Sequence, residues 1–535
     1  MRGQMMDLPL TIPSMLEFAA RYHGRVEVVS RTVEGPVHRY DYTALARRTA
    51  QLAHALRALA IGEGDVVGTL AWNGYRHLEL YYGIAGLGAV CHTINPRLFV
   101  EQIVYIIGHA QDRYLFADLS FVGLLESFAD RLSGVKGIVL MTDRAHMPAT
   151  TLANVFCYEE LLEGRPESLA WPPLDERSAA SLCYTSGTTG NPRGVLYSHR
   201  STVLHAMAIN AADAFGLAAI DAVLPVVPMF HVNAWGLPYA APVTGCKLVM
   251  PGPKLDGASL AQLMQDEGVT VSAGVPTVWL NLLAHIRGTG QRPEFLNRVV
   301  IGGAACPPAM MDAFTQLGVR VVHAWGMTEL SPLGVINNPT RATRGLATAE
   351  QAAIALKQGR PLFGIDIKIV DAAGAELPFD GVEFGSLKVR GHWVCDSYFR
   401  QDDVAAHAEP GWFETGDVAT IDAYGYVKIV DRTKDVIKSG GEWISSIDLE
   451  NVALAHPAVQ EAAAIGRADE KWGERPVLVV VLKPGATASA EEIRAFYRGR
   501  VGKWCEPDAV FLAESLPHTA TGKLLKTELR RLYGR

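Results

Sequence analysis

The residue types best suited to chemistry lie in one short run, YTSGTTGNPRG, from Tyr184 to Gly194. Its glycines let the backbone turn tightly and present N–H groups, and Thr185, Ser186, Thr188 and Thr189 add hydroxyl donors beside the cation of Arg193. Such a set suits phosphate oxygens. The G-x-x-x-x-G-K-[ST] loop is absent, so this is not a Walker A design. A Ser/Thr-rich surface turn is the plain alternative for a generic cluster of this kind. Other candidates are dispersed: Glu329 in HAWGMTE (323–329), Asp417 at the end of GWFETGD (411–417), Arg432 and Lys434 in VDRTKDVIKSGGEW (430–443), the loop IGGAACPP (301–308), and Lys523 in TATGK (519–523). Taken singly, these are solvated or capping acids, surface ion pairs, a strand-to-helix turn and a solvated lysine.

These groups need elements to bring them together. The apolar stretch Ala179–Cys183 feeds the glycine-rich run as a strand. Leu45, Leu52, Leu56 and Leu59 recur at helical spacing between Thr43 and Ala60, with Gly62 and Gly64 ending the pattern and Val66 to Leu70 following as a strand. The alternation returns with Val299–Ile301, a helix from Pro308 to Leu317, and a strand from Val319 to Val322. This texture predicts α/β layering with largely parallel sheets, whose strand order the pattern does not contain. Between Asp366 and Tyr426 it changes to short β pieces, including Asp366–Val370 and Gly385–Arg390, with Tyr426–Val430 following, which predicts a smaller, more antiparallel subdomain. Beyond Asp431 a further unit contains the strand Val477–Leu482, the turn Pro484-Gly485 and a helix opened by a capping box, Ser489 with Glu492. The fold class is therefore α/β: a large N-terminal body of layered α/β subdomains with a small β-rich subdomain, followed by a small α+β C-terminal domain.

With 535 residues, 49% hydrophobic and 20% charged, the chain has ordinary globular composition. A formal net charge of −7 gives no reason to expect nucleic acid as a partner, so anionic substrates must meet local cations or backbone N–H groups. The seven cysteines are scattered and never spaced C-x-x-C, which fits reduced thiols in a cytoplasmic protein rather than a disulfide framework or zinc site. The most apolar region, Phe215 to Gly245, is broken by Asp221, His231, Asn233 and prolines, and is expected to be buried core rather than a transmembrane segment.

The run 184–194 closely resembles the phosphate-binding signature of the adenylate-forming (AMP-dependent) superfamily of acyl-CoA synthetases, luciferases and peptide-synthetase adenylation domains. Further signatures follow in the family's order over nearly the whole chain. The resemblance implies an AMP-forming acid–CoA ligase that uses ATP, CoA and Mg²⁺. Thr185, Ser186, Gly187, Thr188, Thr189 and Gly190 would hold phosphates; the family usually has Lys where this chain has Arg193, which keeps the charge but differs in shape. Within His323, Ala324, Trp325, Gly326, Met327, Thr328 and Glu329, the family pattern places an aromatic (Trp325) on adenine, Thr328 on phosphate and Glu329 on Mg²⁺, with Thr185 as a further metal ligand. Gly303, Ala304 and Ala305 would lie beside the base and Gly302 would face the acyl group. Asp417 and Arg432 would take the ribose. Lys523 would bridge the attacking carboxylate and the α-phosphate, two anions whose approach a cation stabilises. The implied domains are an adenylation body 1–432, a hinge 433–434 with Lys434 at its centre, and a mobile lid 435–535. Lys438, Ser439, Gly440, Gly441, Glu442 and Trp443 would face CoA when the lid turns. A homodimer is left open.

The segment PMFHVNAWGLPYAAP (228–242) corresponds to the family's acyl pocket. Amino-acid-activating relatives carry an Asp after the aromatic; here Phe230 is followed by His231, so a cationic amine has no evident counter-charge. His231 reads as pocket wall or as a core histidine, and Trp235 suits an apolar chain. This run, with HAWGMTELSPLG and GEWISSIDLE, looks most like the branch of bacterial medium-chain fatty acyl-CoA synthetases and 3-methylmercaptopropionate-CoA ligases. A medium-chain fatty acid is the expected substrate and the methylthio acid the alternative. A carrier-protein acyl-AMP ligase and a luciferase-like oxygenase share the adenylating residues. A silent nucleotide-binding regulator would be expected to lack Glu329 or Lys523, and both are present.

Overall fold

The computed structural model describes the whole chain except Arg2, residues 186–190, residues 402–404, Gly441, residues 519–523 and Arg535. Val66–Leu70 is buried along its whole length and sits in the middle of a seven-stranded sheet, as a run of apolar residues covered on both faces should. Across that sheet the order is Val155–Cys157, Ile138–Leu140, Tyr114–Ala117, Val66–Leu70, Val90–Thr93, Ala179–Tyr184 and Gly194–Ser198; only the last pair is antiparallel. The helix expected over 43–60 spans Tyr42–Ala58, because Asp41 caps it by accepting from the Ala44 N–H, and it buries Leu45, Leu52 and Leu56.

A second, nine-stranded sheet contains the parallel neighbours Ala222–Pro225, Val271–Gly274, Arg298–Ile301 and Arg320–Gly326. The last outruns the expected 319–322 because its end pairs antiparallel with Leu333–Ile336. The helix after Arg298–Ile301 is Pro308–Gln316, with Pro308 at its first position as the sequence indicated. Phe215–Gly245 is core: it supplies the strand Ala222–Pro225 and the buried helix Leu237–Thr244. Among the described residues no helix is long and apolar enough to cross a membrane.

The two large sheets are stitched together at their junction by polar groups. Asn73, just beyond Val66–Leu70, donates to the carbonyls of Pro225 and Val227, both at 2.9 Å, and accepts from the Met229 N–H at 2.6 Å. The carboxyl ends of the four parallel strands open on one edge, where ligands of α/β sheets bind.

The β-rich subdomain is a four-stranded antiparallel sheet, Ile365–Val370, Phe384–Gly391, Phe413–Ile421 and Val427–Arg432. Its last strand runs further than Val430, which sets Arg432 opposite Asp417 in register. Beyond it, Ile437–Ser439, Glu442–Ile444, Val459–Asp469, Gly473–Leu482 and Ala509–Leu512 form a five-stranded sheet with its own apolar clusters on two faces. The capping box on Ala490–Ala495 is formed by Ser489 and Glu492 as expected.

Candidate active site

Strand register brings the dispersed motifs to one place. Asp417 is buried in its sheet and accepts from two directions: Nε1 of Trp325 donates to Oδ2 at 3.0 Å, and Nε of Arg432 lies 2.9 Å from Oδ1. Arg432 also donates through Nη1 to the Thr415 carbonyl at 3.0 Å. Residues more than a hundred positions apart thus form one polar unit at the end of Arg320–Gly326. The carboxylate is held rigid by these charge-assisted bonds, while the Arg432 side chain remains about two-fifths exposed, at 41%.

A second unit surrounds Glu329. This buried carboxylate accepts from the Tyr398 hydroxyl at 2.7 Å, and its backbone carbonyl accepts from the Cys395 N–H at 2.8 Å. Burial, and after it the Glu329 charge, pushes the Tyr398 phenol far up, so it stays a donor. The Arg193 guanidinium lies over the Tyr398 ring, 5.1 Å from its centroid. Thr185 is tied to Arg193 by a backbone bond of 2.8 Å, and its hydroxyl accepts from the Arg193 N–H at 3.3 Å. The start of the glycine-rich run is therefore folded back beside Glu329. Thr328, also buried, has its carbonyl held by the Tyr197 hydroxyl at 2.6 Å. Tyr398 is the member of this unit that sequence reasoning missed: VCDSYFR carries no feature that ties it to Glu329.

Gly303 and Ala304 are exposed at the carboxyl end of Arg298–Ile301, beside Ala305. His323 is buried, and burial drives its pKa down to about 4, so its imidazole is neutral; its carbonyl accepts from Asn337. Ala324 and Gly326 lie at the end of the same strand, and Met327 follows it.

The segment expected to face the acyl group is built differently. Val232, Asn233, Ala234 and Trp235 have φ of 47°, 51°, 49° and 57°, a full left-handed turn made without glycine. Left-handed backbone costs an L-residue roughly 1–2 kcal/mol, least for Asn, so the turn persists only because its surroundings impose it. The turn delivers the Trp235 indole under Gly302: a Cβ added at Gly302 would lie 2.9 Å from the Ala324 carbonyl oxygen and 3.2 Å from Cη2 of Trp235. Phe230 packs edge-on to Trp72, with centroids 6.0 Å apart, while His231 is half-buried at the head of the turn.

On the C-terminal side, Lys434 is exposed between Arg432 and the buried Asp435, and partial burial of its amine lowers its pKa. Asp435 accepts from Arg530 at 2.7 Å. Lys438 and Ser439 pair with Trp443 and Glu442 in a tight antiparallel turn through Gly440. Trp443 packs against Phe384 of the four-stranded sheet, centroids 5.4 Å apart. Ser186, Gly187, Thr188, Thr189, Gly190, Gly441 and Lys523 lie outside the described residues.

Residues 16–399 match the model of the AMP-binding enzyme family, and residues 448–523 match that of the AMP-binding enzyme C-terminal domain. The chain belongs to the AMP-binding enzyme family. It is 52% identical over 531 residues, 99% of this chain and 98% of the relative, to a 3-methylmercaptopropionyl-CoA ligase of Ruegeria lacuscaerulensis. It is 49% identical over 535 residues, 100% and 98% of the two chains, to a medium-chain-fatty-acid–CoA ligase of Ectopseudomonas oleovorans. Its fold superposes with a TM-score of 0.87 on the anthranilate CoA ligase AuaEII in complex with anthranoyl-AMP, at 25% identity and 99% coverage of both chains. This member of the AMP-binding family is an AMP-forming acid–CoA ligase.

Proposed function

We propose that this acid–CoA ligase activates an unbranched, mostly apolar carboxylic acid, a medium-chain fatty acid above others. The observation that carries the reading is the buried left-handed turn under Gly302, which lines the acyl side with an indole and supplies no carboxylate after Phe230 for an amine. A panel of acids of increasing length, assayed for diphosphate release with CoA, tests it. A monotonic gain through the medium-chain range supports it, and a sharp optimum at the smallest acids refutes it. The contact between Trp235 and Gly302, which shortens the space for a chain, favours 3-methylmercaptopropionate as the second reading, the acid named for the 52%-identical relative.

In the first half-reaction the substrate carboxylate attacks the α-phosphorus of ATP and diphosphate leaves. In the second, the CoA thiol attacks the acyl carbonyl and AMP leaves. The N–H and hydroxyl donors of 185–190, with Arg193 beside them, would hold the phosphates. Gly303–Ala305 and Trp325 would bracket adenine, and Asp417, on which Trp325 and Arg432 now converge, would with Arg432 take the ribose hydroxyls. Among the described residues no group of three or more His, Cys, Asp or Glu is placed to hold a metal. Glu329 and Thr185 offer hard oxygen donors, which suits Mg²⁺ because that ion completes its shell with water and substrate phosphates. Bound there, Mg²⁺ would neutralise phosphate charge. Lys523 would stand between carboxylate and α-phosphate. Lys434 would act as the hinge between the body 1–432 and the lid 435–535, and Lys438–Trp443 would then border the CoA path.

A further inference from the structure

The acyl turn is pinned firmly at both ends. At its start, Asn73 accepts from the Met229 N–H, and the Tyr81 hydroxyl donates to the Met229 carbonyl. At its end, Gly236 (φ 77°) packs so closely on His205 that a Cβ there would lie 2.7 Å from the imidazole Nδ1. The Tyr82 hydroxyl donates to the Pro238 carbonyl at 2.9 Å. Between these pins the backbone must hold a hand that Val232, Ala234 and Trp235 resist. Asn233 is the residue in the turn suited to it, since its short polar side chain tolerates the left-handed region.

That side chain is buried, and it reaches across to the other large sheet. Nδ2 donates to Oγ of Ser181 at 3.1 Å, and the Cys183 thiol lies 3.4 Å from Oδ1. Burial pushes the Cys183 thiol up to about 11, so it remains a donor, and its sulfur lies 3.1 Å from the Thr93 hydroxyl. Ser181 and Cys183 belong to Ala179–Tyr184, the strand that ends just before Thr185 and leads into the glycine-rich run.

We infer that Asn233 is a positioning residue: it locks the acyl turn left-handed against the strand that feeds the phosphate-binding run, and so keeps the Trp235 indole under Gly302. The inference rests on the proposed acyl role of Trp235. Acid selection and phosphate placement then share one support, the strand Ala179–Tyr184, reached from the acyl side through a side-chain amide.

The test compares Trp235→Ala, Asn233→Ala, Asn233→Gly and Ser181→Ala in the full-length enzyme, measuring KM for a series of acids, KM for ATP, kcat and thermal midpoint. Asn233→Ala should raise KM for the preferred acid about tenfold and flatten the chain-length profile, and Ser181→Ala should do the same about threefold, the range of one or two hydrogen bonds. KM for ATP should move less than KM for the acid in both. Asn233→Gly keeps the left-handed hand but loses the amide, so it should resemble Ser181→Ala. If Asn233→Gly behaves as the parent, backbone preference and not the cross-sheet bond holds the turn, and the inference fails. It also fails if Ser181→Ala and Asn233→Ala change only the thermal midpoint while Trp235→Ala alters the profile. If Trp235→Ala leaves the profile unchanged, the acyl reading itself falls first. Ser181→Ala, a small change on a strand, keeps the question open to measurement should Asn233→Ala fail to fold.

Discussion

The proposed nucleotide side and the proposed acyl side of this enzyme are positioned by opposite means. On the nucleotide side, charged and aromatic groups hold each other directly: Trp325 and Arg432 converge on Asp417, and Tyr398 holds Glu329 while carrying Arg193 on its ring. Trp325, Asp417 and Arg432 stand on ordinary strand and Glu329 on a short 3₁₀ turn, and the chemistry resides in residue type. On the acyl side, the decisive features are a left-handed turn across Val232–Trp235 and the missing side chain of Gly302. Functional groups built from charge tolerate little substitution, whereas a pocket built from shape can be retuned by single methyl groups. Relatives about half identical to this chain are named for different acids.

Variants should respect that division, and the strongest effects belong to the nucleotide side. Lys523→Ala should lower adenylate formation by about 10²–10³-fold, the scale of losing one charge-stabilising group, while sparing thioester formation from preformed adenylate. Single-turnover rates for both half-reactions check it, and equal losses in both would refute a role of Lys523 specific to the first step. Lys434→Pro should lower thioester output by about 10²-fold, since proline in an unsuitable backbone costs roughly 3 kcal/mol. Diphosphate should still appear as a single burst, and loss of both activities together without unfolding would mean Lys434 is no hinge. Tyr398→Phe removes one hydrogen bond to a carboxylate, worth about 1.5–3 kcal/mol, and should raise the Mg²⁺ requirement whichever acid is used. An altered acid preference in this variant would break the comparison.

The acyl side should answer in small steps. Gly302→Ala intrudes on the Ala324 carbonyl and the Trp235 indole and should move the optimum toward shorter acids. Each methylene lost from the pocket is worth ~0.8 kcal/mol, about fourfold in kcat/KM. KM for ATP should stay at the parent's value, and a shift there equal to the shift for the acid would show that the two sides are not separable at this glycine.

Much of the fold was legible because local patterns agreed with their surroundings. The helix after Asp41, the strand Val66–Leu70 and the capping box at Ser489 lie where periodicity and capping residues put them. Ends set by tertiary pairing were missed: Arg320–Gly326 is lengthened by Leu333–Ile336, and Val427–Arg432 by Asp417 opposite Arg432. The site divides in the same way. By itself the sequence determined the chemical inventory, the N–H and hydroxyl donors of 184–194, Glu329, Asp417, Arg432 and Lys523, because charge and hydrogen-bonding capacity belong to residue type. Only the tertiary structure decided that Tyr398 serves Glu329, and that Val232–Trp235 turns left-handed with Asn233 anchored on Ser181. Those are properties of backbone hand and of sheets meeting across a junction. No local pattern encodes them, because the groups that impose the turn lie far from it in sequence and near it only in space.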